Sequence, residues 1–164
     1  MAKTSLNRDL ERQKFITFPL SDYYVALPME SVLRVLRHDL EGGDDKLNRM
    51  GLLQIGRHVI RVINLYQWLT PAPAPPPPFL IIVQPPQGEP FGIWTDGLPD
   101  LIELSPNLLR SLPRSAGALS GFLELMSHTV VLADGEENKT IFFLNISRLL
   151  EARAPEMAAL PSQV

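Results

Sequence analysis

His38, His58 and His128 are the side chains best suited to hold a metal or pass a proton, and none has a second histidine or a carboxylate at ligand spacing on its own element. His58 is expected at the start of a strand beside a hairpin, and His128 in the turn before Thr129. The chain has no cysteine, which removes disulfides, thiolate zinc sites, iron–sulfur clusters and cysteine nucleophiles. Asp96 and Asp134 each precede a glycine, the ordinary signature of a turn. Ser120-Gly121 lacks the strand–elbow–helix setting of a serine nucleophile. Gly42-Gly43 runs into Asp44-Asp45, which would repel a phosphate. Glu136-Glu137 reads as a solvated hairpin tip. Asn145-Ile146-Ser147 fits a glycosylation sequon but is better read as a helix cap. The residues therefore predict no catalytic group, no cofactor and no metal; an enzyme would need Asp96, His58 or His128 to converge in space.

Hydrophobic residues make up 45% of the 164 and charged residues 20%, so the chain can bury a core. The net charge of −3 argues against a nucleic-acid partner, which requires a basic face. Residues 1–78 carry a net +2 and residues 79–164 a net −5, an asymmetry able to orient a partner. No segment approaches the roughly 18 consecutive apolar residues of a membrane span, and the start of the chain has no signal-peptide core. A soluble, cytoplasmic protein without direct membrane insertion is expected.

These side chains must be positioned by short β elements. Lys14–Phe18 and Tyr23–Leu27 read as paired strands around a Pro19–Asp22 turn, followed by a helical turn at Pro28–Ser31 and an apolar-rich segment, Val32–Arg37. Residues 38–49 read as a mobile loop. Leu52–Ile55 and His58–Ile63 are separated by Gly56-Arg57, a two-residue loop whose glycine stands where a type II′ turn requires positive φ. Asn64 caps a short helix, Leu65–Leu69. Pro71–Pro78 holds six of the sixteen prolines and reads as a stiff polyproline II spacer, with a Pro-x-x-Pro ligand as the alternative. Beyond it come strands Phe79–Val83, Phe91–Trp94 and Leu101–Leu104, then one helical turn at Asn107–Arg110 capped by Ser105. Leu119–Met126, Thr129–Ala133 and Thr140–Leu144 follow as strands, with a closing helix, Ile146–Arg153, capped by Asn145 and stopped by Pro155. About ten short strands with closely spaced turns predict an all-β architecture, a barrel or sandwich.

Phe15–Arg37 (FITFPLSDYYVALPMESVLRVLR) resembles the opening of CheW-type chemotaxis coupling proteins, in which a strand pair ending in Ala-Leu-Pro leads to a Val-x-x-Val-Leu-Arg segment. Gly51–Leu65 (GLLQIGRHVIRVINL) is similar, without gaps, to the family's G-V-I-N-L-R-G-x-V-I-P-V-I-D-L. Phe91–Leu104 and the ending Gly121–Leu150 resemble two further family blocks in the same order. The resemblance implies an all-β fold of two intertwined five-stranded SH3-like β-barrels, with short connecting helices and a C-terminal helix. It places a CheW-like domain at 14–151, with a first barrel roughly at 14–69, the spacer at 70–78, a second barrel roughly at 79–144, a closing helix at 145–153, and tails at 1–13 and 154–164. It further implies a non-catalytic adaptor in chemotaxis or pilus- or phototaxis-type motility. Its partners would be the regulatory domain of a CheA-type histidine kinase and the cytoplasmic tip of a chemoreceptor, at membrane-associated receptor arrays.

The chain departs from the family at its hairpin. Family members read Asn-Leu-Arg-Gly there, and the arginine meets a glutamate from the preceding segment. Here Gly56 takes the arginine's place and Arg34 the glutamate's, so both members of the ion pair are gone, which avoids the roughly 3–5 kcal/mol cost of stranding one buried charge. Arg61 stands for a proline and Asn64 for an aspartate. The expected partner face is Arg34, Gln54, Gly56, Arg57, His58 and Arg61, made cationic by its three arginines. Val32, Val35, Val59 and Ile60 are its possible apolar part, strand alternation allowing only one set to face outward. The competing reading is a stand-alone SH3-like module that binds peptides or helical segments outside a kinase array.

Overall fold

The structure is a computed structural model that describes residues 12–37, 51–69, 79–113 and 121–159. His38, the loop at 38–49, Ser120 and the spacer with its Pro-x-x-Pro motif lie outside the described residues. Eleven strands follow one another among them: β1 (Gln13–Leu20), β2 (Tyr23–Pro28), β3 (Val32–Arg37), β4 (Leu52–Ile55), β5 (His58–Ile63), β6 (Phe79–Val83), β7 (Phe91–Thr95), β8 (Asp100–Leu104), β9 (Arg110–Ser111), β10 (Met126–Asp134) and β11 (Glu137–Leu144). Single 3₁₀ turns lie at Met29–Ser31, Leu65–Trp68 and Pro106–Leu108, and α-helices at α1 (Gly121–Glu124) and α2 (Ile146–Ala159).

The strands form two sheets, one ordered β8-β1-β2-β11-β10-β9 and the other β3-β6-β7-β5-β4. Sheet membership does not follow the division at residues 70–78. The β1–β2 hairpin belongs with the last four strands, joined to them by the parallel pairing of β2 with β11 and the antiparallel pairing of β1 with β8. β6 and β7 from beyond the spacer complete the sheet of β3, β4 and β5. Period-two alternation explains the cores. One face of the five-stranded sheet buries Leu53, Val62, Leu80, Ile82 and Trp94, and the six-stranded sheet buries Phe15, Ala26, Leu104, Val130, Ile141 and Phe143. The alternate residues Ile63, Ile81, Val83, Phe91 and Ile93 meet Phe18, Leu20, Val25 and Leu27 in a third cluster between the two sheets, with Phe122, Leu125 and Leu149 from the helical segments.

Several elements differ from the sequence reading. Of the strand expected at Leu119–Met126, Leu119 and Ser120 lie outside the described residues, Gly121–Glu124 is helical, with the buried Phe122 and Leu125 at a helix spacing of three, and only Met126 is extended, as the first residue of β10. Arg110 begins β9 instead of ending a helical turn, and Ser105 makes no side-chain cap. His128 lies inside β10, beside a register shift between Met126 and His128. The first hairpin turns at Ser21-Asp22, with Pro19 in β1. The Pro19 carbonyl accepts from the Asp96 N–H at 3.2 Å, so its ring nitrogen lies on the edge turned from β2, where no donor is missed. Asn145 caps α2 through its Oδ1, which accepts from the Arg148 N–H at 3.0 Å. The helix then runs past Pro155 to Ala159, and the carbonyl that Pro155 leaves without an intrahelical donor belongs to the exposed Glu151.

Candidate functional site

The β4–β5 hairpin is built around Gly56, whose φ of +59° is followed by an Arg57 on the ordinary negative side, the sign pattern of a II′ turn. A Cβ on Gly56 would meet nothing within 4 Å, so the glycine answers a backbone demand and not a packing one. Its register sets Ile55 opposite His58, Gln54 opposite Val59, Leu53 opposite Ile60 and Leu52 opposite Arg61. Ile55, His58 and Ile60 therefore share one face, and Gln54, Val59 and Arg61 the other. Gln54 also donates to the Gly56 carbonyl at 3.4 Å.

β3 reaches the same region through an irregularity that simple alternation misses. Its register with β6 shifts between Val32 and Arg34, so Val32 sits opposite Val83 whereas Arg34 sits opposite Ile82. Val83 faces the cluster between the sheets and Ile82 the interior of the five-stranded sheet, so Val32 and Arg34 point to opposite faces although two residues apart. Val32 packs against the buried core and Arg34 is exposed.

Together these strands enclose a concavity of about 470 Å³. Leu36, Ile55, Ile60 and Ile82 form its apolar part, bordered by Leu33, Arg34, His58, Val59, Glu89 and Pro90. Leu33 is 53% exposed and Val59 60%, high for large aliphatic side chains. Arg34, Arg57, His58 and Arg61 are exposed and make no ion pair among the described residues. Of the ten residues expected at a partner face, the structure gathers Arg34, His58, Val59 and Ile60 around the concavity and sets Gly56 and Arg57 at the hairpin tip. Gln54 and Arg61 occupy the hairpin's opposite face, Val35 is 39% exposed on β3, and Val32 is turned inward. Leu33 was missed, because its exposure at the groove follows from the register shift between Val32 and Arg34, which the sequence does not announce.

A side-chain tie between the sheets was also missed. The Tyr66 hydroxyl donates to the Asp96 carboxylate, whose other oxygen accepts from the Ser21 N–H at 2.6 Å. Burial, and then the neighbouring Asp96 carboxylate, push the Tyr66 phenol above its usual ionisation range. A smaller concavity of about 290 Å³ lies between Trp68, Gly121, Leu125 and Arg148, where Arg148 donates to the Met126 carbonyl at 2.8 Å and so holds α2 to β10. Among the described residues no group of three or more metal-ligating side chains converges, and no helix is long and apolar enough to cross a membrane.

The family model of the CheW-like domain matches residues 14–154. Among solved structures, the crystal structure of scaffolding protein TtCheW from Thermoanaerobacter tengcongensis is similar with a TM-score of 0.59 at 15% sequence identity, covering 82% of this chain and 90% of that chain. At that identity the likeness establishes the fold, two SH3-like barrels. No curated protein matches the sequence.

Proposed function

The chain belongs to the CheW-like domain family of non-catalytic scaffolding adaptors, and on that premise we propose that it couples a chemoreceptor to a CheA-type histidine kinase at the cytoplasmic face of a receptor array. The observation that supports this reading most is the concavity on the five-stranded barrel, with exposed Leu33 and Val59 at its edge and beside it Arg34 and Arg57, which make no ion pair among the described residues. Apolar surface of this kind on a rigid strand scaffold favours protein contact over chemistry on a small molecule. Arg34, Gln54, Gly56, Arg57, His58 and Arg61, with Val35, Val59 and Ile60, are the proposed partner face.

Bridging requires two surfaces that can be occupied together. Calorimetry with the isolated regulatory domain of a CheA-type kinase and, separately, with a receptor cytoplasmic hairpin tests the proposal. Saturable binding of each at about micromolar affinity, near −8 kcal/mol, is the expected result. Absence of heat with both fragments would remove it.

A further inference from the structure

The seven residues between β6 and β7, 84–90, read QPPQGEP, so three of them have no N–H to donate. The loop has few backbone donors with which to hold its own shape, and one side chain supplies what is missing. Nε2 of Gln84 donates to the Pro85 carbonyl at 3.1 Å and to the Gly88 carbonyl at 3.0 Å, one bond for each of its two hydrogens. The base of the loop is fixed as well. The Gln84 N–H donates to the Ser31 carbonyl at 2.8 Å, and Pro85 is buried. Proline sets φ at 85, 86 and 90, which leaves the freedom of the loop at Gln87, Gly88 and Glu89. The second bond of Gln84 closes across that stretch. Gly88 has a φ of +113°, a conformation strained for any residue with a side chain, so the closure relies on glycine there.

Glu89 and Pro90, at the end of this loop, border the concavity with Leu33, Arg34 and Val59. A border already in place before contact removes from binding the cost of ordering three residues. We propose that Gln84 is a positioning residue for the partner face: it touches no partner, and holds the loop so that Glu89 and Pro90 stand as a preformed rim for the regulatory domain of the CheA-type kinase. The concavity of about 470 Å³ takes a few side chains, which a turn of a folded domain supplies. A helical hairpin instead presents a ridge that runs on for tens of ångströms, a poor match to a depression of that size. The inference rests on the scaffold reading and deepens it, because it assigns this rim to one of the two partners.

Two variants release the loop by independent routes. Gln84→Met keeps the length of the side chain and removes both donors. Gly88→Ala strains the turn, while the atom nearest the new Cβ, Cγ of Pro85, lies at an ordinary contact distance of 3.7 Å. The isolated kinase regulatory domain and the receptor cytoplasmic hairpin are titrated calorimetrically against the full wild-type chain and each variant. Thermal unfolding followed by circular dichroism checks that the variants remain folded, and the ¹⁵N heteronuclear NOE of residues 87–89 reads the order of the loop. Both variants should lower that NOE and weaken the kinase domain by about threefold or more, with the receptor hairpin held within about twofold of wild type. A general loss of stability would not separate the two partners in this way. A loosened loop with less than about a threefold change for the kinase domain overturns the positioning role and leaves the scaffold reading standing. An unchanged NOE in Gln84→Met overturns the hold assigned to Gln84. Weakening of the receptor hairpin as much as, or instead of, the kinase domain overturns the partner named, as does wild-type binding of the hairpin alone. If the wild-type chain binds neither probe, the scaffold reading fails and the inference with it.

Discussion

Tyr66 reaches from the 3₁₀ turn after β5 to Asp96 beyond β7, and Asp96 reaches on to the Ser21 N–H at the tip of the first hairpin. Three segments distant in sequence are thus held by one carboxylate. Removing the hydroxyl in Tyr66→Phe should cost about 1–2 kcal/mol, read as a lower urea midpoint at unchanged m-value. The raised ionisation of Tyr66 adds a pH signature. Above pH 10, the ordinary value for tyrosine, the unfolded chain gives up this proton while the folded chain keeps it, so stability should fall as pH rises. Tyr66→Phe should lack that component of the alkaline loss; an identical alkaline profile for both proteins would remove the assignment. Little of this tie could be read from sequence. Asp96-Gly97 announces a turn, and its second role depends on a contact thirty residues away.

The β4–β5 hairpin was legible because its determinants are local: one glycine at the position that needs positive φ, flanked by apolar runs of strand length. Gly56→Ala should cost about 1–2 kcal/mol through backbone strain alone, since space is open around it. α1 was not legible, because a short apolar run such as Gly121–Met126 is compatible with a buried strand until its neighbours are known. Phe122 shows what those neighbours decide. It is fully buried between the sheets with its ring 4.8 Å from that of Tyr23, and Phe122→Ala should lower stability by about 3–5 kcal/mol in equilibrium unfolding. The shift in β3 was equally invisible, and it decides that Arg34 borders the groove while the half-buried Val32 turns toward the core.

At the scale of the molecule, the all-β class and the two-barrel fold were legible from strand length, turn spacing and the family resemblance. Which strands share a sheet was not, because the β1–β2 hairpin pairs with strands more than seventy residues away. That topology makes the protein one cooperative unit. A fragment ending at residue 69 keeps β1 and β2 without β8 and β11, and β3 to β5 without β6 and β7, so it should give poorly dispersed amide resonances; mixing it with the complementary fragment should restore dispersion. The same interlocking holds the groove and the six-stranded sheet in fixed relation, which a bridge between two partners requires. Autophosphorylation of a CheA-type kinase in the presence of receptor-bearing vesicles, with and without this chain, tests that role most directly. Coupling predicts a rate that responds to the receptor only when the chain is added; a rate indifferent to its addition would contradict it.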